Sequence, residues 1–337
     1  MVLLTGATGL VGSHLLYALL NRGESVRATK RASSNLNDVA LAFSFYGEKA
    51  QNLLKNVEWV EADLLNPAEV DELFVDVNRV FHCAATVSFK PKDKQQLLEE
   101  NPAITANLVN AALMNKVEHF AFTSSVAAIG RNKTLHDFTT EETEWKAGPE
   151  NSNYAVSKYL CELEVWRGTE EGLCAAMVNP TLILGAANWN KSSSAIFKRY
   201  ASGFKYYTTG KNGFVDVRDV VDSLLRISDL RINQERFILV GENLFYRDLA
   251  NKMANAFGQA IPTREAKRWV TNLLWRMEKW RSVLFNIEPL ITKETARSAR
   301  SMWQYSNKKA IEKLGIQFRP IDKSILEYAE YYKKTAQ

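Results

Sequence analysis

The chain has 337 residues, 46% hydrophobic and 24% charged, enough to bury a full core and too apolar for a disordered chain. A formal net charge of +5 without any block of like charges argues against a nucleic-acid binder, which clusters its basic residues. Three cysteines, Cys83, Cys161 and Cys174, share no metal-ligand spacing and sit among apolar neighbours. They read as small core thiols of a reducing compartment, with no metal expected. Met1 to Leu4 runs directly into Thr5-Gly6, too short for a signal region, and no apolar run approaches the roughly 18 residues of a transmembrane helix. A cytoplasmic protein without an integral membrane segment is the expectation.

In chain order, Val2-Leu4 reads as a strand, Leu10 to Arg22 as a helix and Ser25-Thr29 as a second strand. Val57-Val60, Arg79-Cys83, His119-Thr123 and Ala175-Val178 repeat the strand signal, with helical stretches at Ala68-Phe74, Ala103-Met114 and Ser152-Trp166 between them. Such alternation predicts an α/β fold, a parallel sheet wound on both faces. After about Pro180 come a strand and helix over Phe214-Ile227 and a strand at Arg236-Val240. Arg264-Phe285 and Asn307-Tyr332 then read as helical. The expected organisation is a nucleotide-binding domain of residues 1–180 plus 214–242. A smaller, mostly helical substrate lobe takes 181–213 plus 243–337.

Between the first strand and first helix stands Thr5-Gly6-Ala7-Thr8-Gly9-Leu10-Val11-Gly12. Gly6 permits a tight turn, Gly9 a close backbone approach to a pyrophosphate, and Gly12 close packing of helix on sheet. The helix N-terminus, from Thr8 through Val11, offers unpaired N–H groups to the anion. The second strand ends in Lys30-Arg31-Ala32-Ser33-Ser34 rather than in an acidic residue. Lys30 or Arg31 with the serine hydroxyls favours the extra phosphate of NADP, with NAD as the alternative. Asp63, before Leu64, is read as an adenine contact or a helix cap. His82 reads as a packed histidine, and the small Cys83, Ala84 and Ala85 let backbone lie against the cofactor.

Tyr154 and Lys158 lie four residues apart, on one face of a predicted helix. A phenol with a pKa of about 10 is a poor base near neutrality. A neighbouring cation stabilises its phenolate, and each tenfold gain in acidity corresponds to about 1.4 kcal/mol. Such a tyrosine can give a proton to a carbonyl oxygen or take one from an alcohol. Ser125, just past the fifth strand, lies where ligands bind such sheets and can hold the substrate oxygen. Ser124 is its nearest competitor.

With these pieces in place, the chain resembles an extended short-chain dehydrogenase/reductase of the NAD-dependent epimerase/dehydratase superfamily, a Rossmann-fold group. Within it, the chain is similar to dihydroflavonol-4-reductase-like and 3β-hydroxysteroid-dehydrogenase-like members. Thr5 to Gly12, Asp63-Leu64, His82 to Ala85, Asn101, Ser125 with Gly130, Tyr154 with Lys158, Asn179-Pro180 and Phe214 to Val220 carry the resemblance, over the first two thirds of the chain. It implies Tyr154 as acid/base, Lys158 as ribose ligand and tuner of Tyr154, and Ser125, five residues before Gly130, as the orienting serine. It also implies Asn101 near the cofactor, although Pro102-Ala103-Ile104 departs from the family's Val-x-Gly. Asn179 and Pro180 are implied beside the nicotinamide, and a homodimer through the Tyr154 helix.

Sugar-nucleotide dehydratases of this superfamily often carry Asp-Glu where Val126-Ala127 stand, so the resemblance favours a reductase of a small, hydrophobic substrate. A nucleotide-sugar 4-epimerase and a non-catalytic NAD(P)-binding regulator are the alternatives. Val270, Leu273, Met277, Trp280 and Leu284 follow helical spacing among basic residues. This reads as a lid over the substrate in preference to a peripheral membrane contact. Tyr206, Tyr207 and Trp189 are candidate pocket aromatics.

Overall fold

The computed structural model describes residues 1–88, 93–131, 137–149, 151–267, 269, 275–277, 280 and 297–336. The first strands are β1 (Val2–Thr5), β2 (Val26–Lys30), β3 (Val57–Glu61), β4 (Arg79–His82), β5 (His119–Thr123) and β6 (Ala175–Pro180). They are followed by β7 (Leu182–Leu184), β8 (Tyr206–Tyr207), β9 (Lys211–Asp216), β10 (Glu235–Leu239), β11 (Glu242–Phe245) and β12 (Arg264–Glu265). Helices α1 (Leu10–Asn21), α2 (Leu36–Ser44), α3 (Pro67–Glu72), α4 (Asn101–Met114) and α5 (Asn153–Glu170) alternate with the early strands. Later come α6 (Ala195–Ala201), α7 (Val217–Asp229), α8 (Tyr246–Phe257), α9 (Lys308–Leu314) and α10 (Ile321–Thr335).

Seven strands form one parallel sheet in the order β10-β6-β5-β4-β1-β2-β3. The expected doubly wound α/β fold is therefore present. Side chains alternate between two cores, as strand geometry demands. Phe120 and Phe122 of β5 face Leu108 and Val109 of α4 and Val165 of α5. Ala121 faces the opposite core, built from Leu15, Leu16 and Leu19 of α1 and Val220 and Leu224 of α7. Strand order reverses between β1 and β4, which opens a crevice at their carboxyl ends.

The remainder is less purely helical than expected. Strand β9 joins β11 and β7 in a separate three-stranded sheet, antiparallel to the first and parallel to the second. Arg264 opens not a helix but β12, which pairs with β8. Most of the amphipathic stripe read beyond it, Val270, Leu273 and Leu284 included, lies outside the described residues. The stretch read as helical over Asn307-Tyr332 is broken between α9 and α10, because Gly315 takes a left-handed φ of 63° and ends α9.

Helix α10 then returns to the first core. Ile325, Tyr328 and Ala329 are buried in it. The Tyr328 hydroxyl donates to Asp216 Oδ1 at 2.8 Å, and that of Tyr331 to the Leu41 carbonyl at 2.6 Å.

Candidate active site

The glycine turn sits at the crevice mouth, between β1 and α1. Gly6 adopts φ +73°, and a Cβ there would stand 2.5 Å from the Ala84 nitrogen. A Cβ on Gly12 would meet the Gly6 carbonyl oxygen at 2.1 Å. The turn and the segment after β4 therefore touch through bare backbone. Gly9 is the exposed N-cap of α1, and no side chain caps the helix or places an acid in its first turn. That leaves its N-terminal dipole for an anion. The cradle fits a dinucleotide pyrophosphate: close backbone on both sides, a positive helix end, and no side chain in the way.

Two of the three side chains expected to act together, Ser125 and Tyr154, meet between the end of β5 and the start of α5. Ser125 caps the short turn Val126–Ala128, accepting the Ala127 N–H at 3.2 Å. Its side chain also hydrogen-bonds Tyr154, in the first turn of α5. Ser152 caps that helix, accepting the Ala155 N–H at 3.1 Å. Burial pushes the Tyr154 phenol up, and the Ser125 hydrogen bond pulls it down. Lys158 is buried and donates to the Thr123 carbonyl at 2.9 Å, with its ammonium 4.8 Å from the Phe122 ring centre. Burial lowers the lysine's pKa. Ser124 is occupied elsewhere, its hydroxyl donating to Glu162 Oε1 at 2.5 Å. The two adjacent serines are thus separated by their partners.

The asparagines are more fully engaged than sequence suggests. Asn101 is the first residue of α4; its Oδ1 accepts from Thr86 N at 2.9 Å, and its amide donates to the Thr86 carbonyl and Ser157 Oγ, both at 3.0 Å. It ties the loop after β4 to α5. Asn179 donates to the Ser125 carbonyl at 3.0 Å and to Glu162, and its buried Oδ1 has no partner among the described residues. Pro180 closes β6 beside it, paired with Leu239. Glu162 and Arg236 were not singled out from sequence, because their pairing joins residues 74 positions apart.

His82 is packed, as expected, between Thr5 Oγ1 at 2.8 Å and Thr105 Oγ1 at 3.2 Å. Burial lowers its pKa from 6.5 to about 3. The unfolded chain therefore binds this proton more readily, and the group's contribution to stability is lost as pH falls below 6.5 towards 3. Between pH 7 and pH 5 the thermal midpoint of a His82→Gln variant should fall less steeply than that of the unaltered chain. Buried carboxyls common to both cancel in that comparison, so equal slopes would refute the assignment.

At the far end of the crevice lie the residues proposed to meet the adenosine. Lys30 pairs with Glu61 Oε2 at 3.1 Å, so its charge is partly answered. Arg31 is exposed, and its backbone N–H donates to Ser34 Oγ at 3.0 Å, which shapes the turn after β2. Asp63 Oδ1 accepts from Leu65 N at 3.0 Å in a local turn, while the cap of α3 is Asn66. Leu64 is buried behind it, and Cys83, just past β4, approaches Thr123 Oγ1 at 3.1 Å. Trp189 is buried, packed on Phe197 and Tyr332, with its indole N–H donating to Thr335 Oγ1 at 3.1 Å. Among the described residues no cluster could hold a metal ion, and no helix is long and apolar enough to cross a membrane.

The model of the NAD dependent epimerase/dehydratase family matches residues 2–241. A protein of Synechocystis sp., provisionally named dihydroflavonol 4-reductase, is 27% identical over 98% of this chain and 93% of its own length. Sterol demethylase protein B of Methylococcus capsulatus is 32% identical over 72% of this chain and 70% of its own. The crystal structure of gox2253 superposes with a TM-score of 0.80 at 27% identity, covering 99% of this chain and 98% of that one.

Proposed function

This chain is an enzyme of the NAD-dependent epimerase/dehydratase family, and from that membership we propose that it reduces the carbonyl of a small hydrophobic substrate, or oxidises the matching alcohol, with NADP(H). The observation that carries the reading is the hydrogen bond between Ser125 and Tyr154 at the carboxyl ends of the strands. Bound in the glycine cradle, the dinucleotide supplies or accepts a hydride.

The protein's part is to hold the oxygen and move the proton. Ser125 orients the substrate oxygen toward Tyr154. The Tyr154 phenol, protonated at neutrality by its ordinary pKa of about 10 and pushed higher by burial, gives its proton to that oxygen during reduction and recovers it from solvent. In the reverse direction the phenolate takes it back. Lys158, one turn further along α5 on the same face, is the candidate ribose ligand. The names of the two relatives refer to a reduced flavonoid and a sterol, which supports an apolar ring substrate over a diphosphate-bearing one.

Arg31 is the favoured recognition group for the extra phosphate, since Glu61 already engages Lys30. The test follows oxidation of NADPH and of NADH with a panel of apolar aldehydes, ketones and their alcohols, alongside UDP-sugars. NADPH should be consumed with an apolar carbonyl. An Arg31→Ala variant should raise KM for NADPH about tenfold and leave NADH unchanged, the loss of about 1.4 kcal/mol of charge-assisted bonding. Interconversion of UDP-sugars without net cofactor oxidation would instead mark an epimerase.

A further inference from the structure

We infer that Glu162, held in place by Arg236, is a positioning residue that sets Ser125 and Asn179 against helix α5; the inference rests on the reading of Ser125 and Tyr154 above. Tyr154, Lys158 and Glu162 recur every four residues on α5 and so share one face of the helix. Each reaches the end of β5 or its continuation. Tyr154 bonds Ser125, Lys158 donates to the Thr123 carbonyl at 2.9 Å, and Glu162 accepts the Ser124 hydroxyl at 2.5 Å. The third latch is a carboxyl with 1% exposure, as deeply buried as the Lys158 ammonium at 4%.

A buried carboxylate survives only when it is paired and hydrogen-bonded on both oxygens. Here Oε1 takes Ser124 and the Asn179 amide, and Oε2 takes Arg236 Nη1 at 3.1 Å. Arg236 is itself anchored on β10, donating through Nε to the Glu141 carbonyl at 3.1 Å. The Asn179 amide nitrogen gives its other proton to the Ser125 carbonyl at 3.0 Å. With both amide protons committed, the Asn179 side chain cannot turn over, and its Oδ1 is left buried and unpaired among the described residues. The chain from Arg236 through Glu162 and Asn179 to the Ser125 backbone therefore ties the outer strands to the serine that meets Tyr154. The energetic cost of the buried charge and of the orphaned oxygen is understandable if the geometry at Ser125 is what they secure.

The test compares two variants with the unaltered chain. Glu162→Gln keeps the shape but replaces one acceptor with a donor facing Arg236 or Asn179. The Glu162→Leu/Arg236→Leu pair removes both charges together, so no uncompensated ion is buried. In each, kcat for NADPH-dependent carbonyl reduction should fall by about tenfold or more, the scale of sub-ångström misplacement. Kd for NADPH, read by tryptophan quenching, should stay within about twofold because the glycine cradle is untouched. If the double variant does not fold, Glu162→Gln decides alone. Undiminished kcat in a folded variant, or a parallel loss of kcat and of cofactor affinity, would overturn the assignment. Tyr154→Phe is measured in the same series. Full activity there would fail the parent reading, whereas an inactive Tyr154→Phe beside a fully active Glu162→Gln fails only this one.

Discussion

Replacing Tyr154 with phenylalanine should lower kcat about a thousandfold, the middle of the range for losing a positioned general acid, while NADPH still binds. The change removes one oxygen from a partly exposed ring at the start of α5 and leaves the glycine turn intact. Ser125 loses a hydrogen-bond partner but keeps the Ala127 N–H as its donor, so its backbone should not move. A phenol is protonated at neutral pH, and burial moves this one further from ionising. In the reductive direction the rate of the unaltered enzyme should therefore be level through neutrality and decline only at alkaline pH. The diagnostic measurement is steady-state kcat with a competent carbonyl, paired with a fluorescence titration of NADPH. A phenylalanine variant that turns over normally would remove tyrosine from the mechanism altogether.

The second large effect concerns the cradle. Gly12→Ala would place a methyl carbon 2.1 Å from the Gly6 carbonyl oxygen, backbone against side chain with nothing flexible to yield. Helix α1 must then withdraw from the turn. Overpacking of this kind costs about 1–3 kcal/mol of stability. The greater loss should fall on the ligand, because the displaced N–H groups are those aimed at the pyrophosphate. NADPH affinity should drop about a hundredfold, equivalent to about 2.7 kcal/mol. A folded Gly12→Ala chain that binds NADPH normally would exclude this turn as the phosphate site.

Much of the fold and of the site is legible in the sequence. Most strands of the large sheet carry a short apolar stretch, such as Val2-Leu3-Leu4 or Phe237-Ile238-Leu239, a signal local in sequence, and the glycine turn lies directly after the first. Tyr154 and Lys158 can be paired because helical spacing is also local. What escapes depends on distant partners. Lys211–Asp216 reads as another strand of the same sheet until its neighbours, Glu242–Phe245 and Leu182–Leu184, are known. Arg264-Glu265 pairs with Tyr206-Tyr207 across more than fifty residues, so nothing nearby betrays a strand. Glu162 looks like any surface acid of a helix, and only its distant partners Ser124, Asn179 and Arg236 account for its burial. Ser124 and Ser125 are indistinguishable as letters; their hydroxyl partners tell them apart.

The return of α10 to the first core has a consequence for biosynthesis. Asp216, at the start of α7, and Leu41, in α2, receive hydrogen bonds from Tyr328 and Tyr331, residues translated 112 and 290 positions later. A nascent chain whose sheet has already assembled still shows water the apolar patch that Ile325, Tyr328 and Ala329 will cover. Until Ile321–Thr335 has been translated, that patch is a target for chaperones. A stop codon before Ile321 should accordingly give an aggregating product rather than a shortened enzyme.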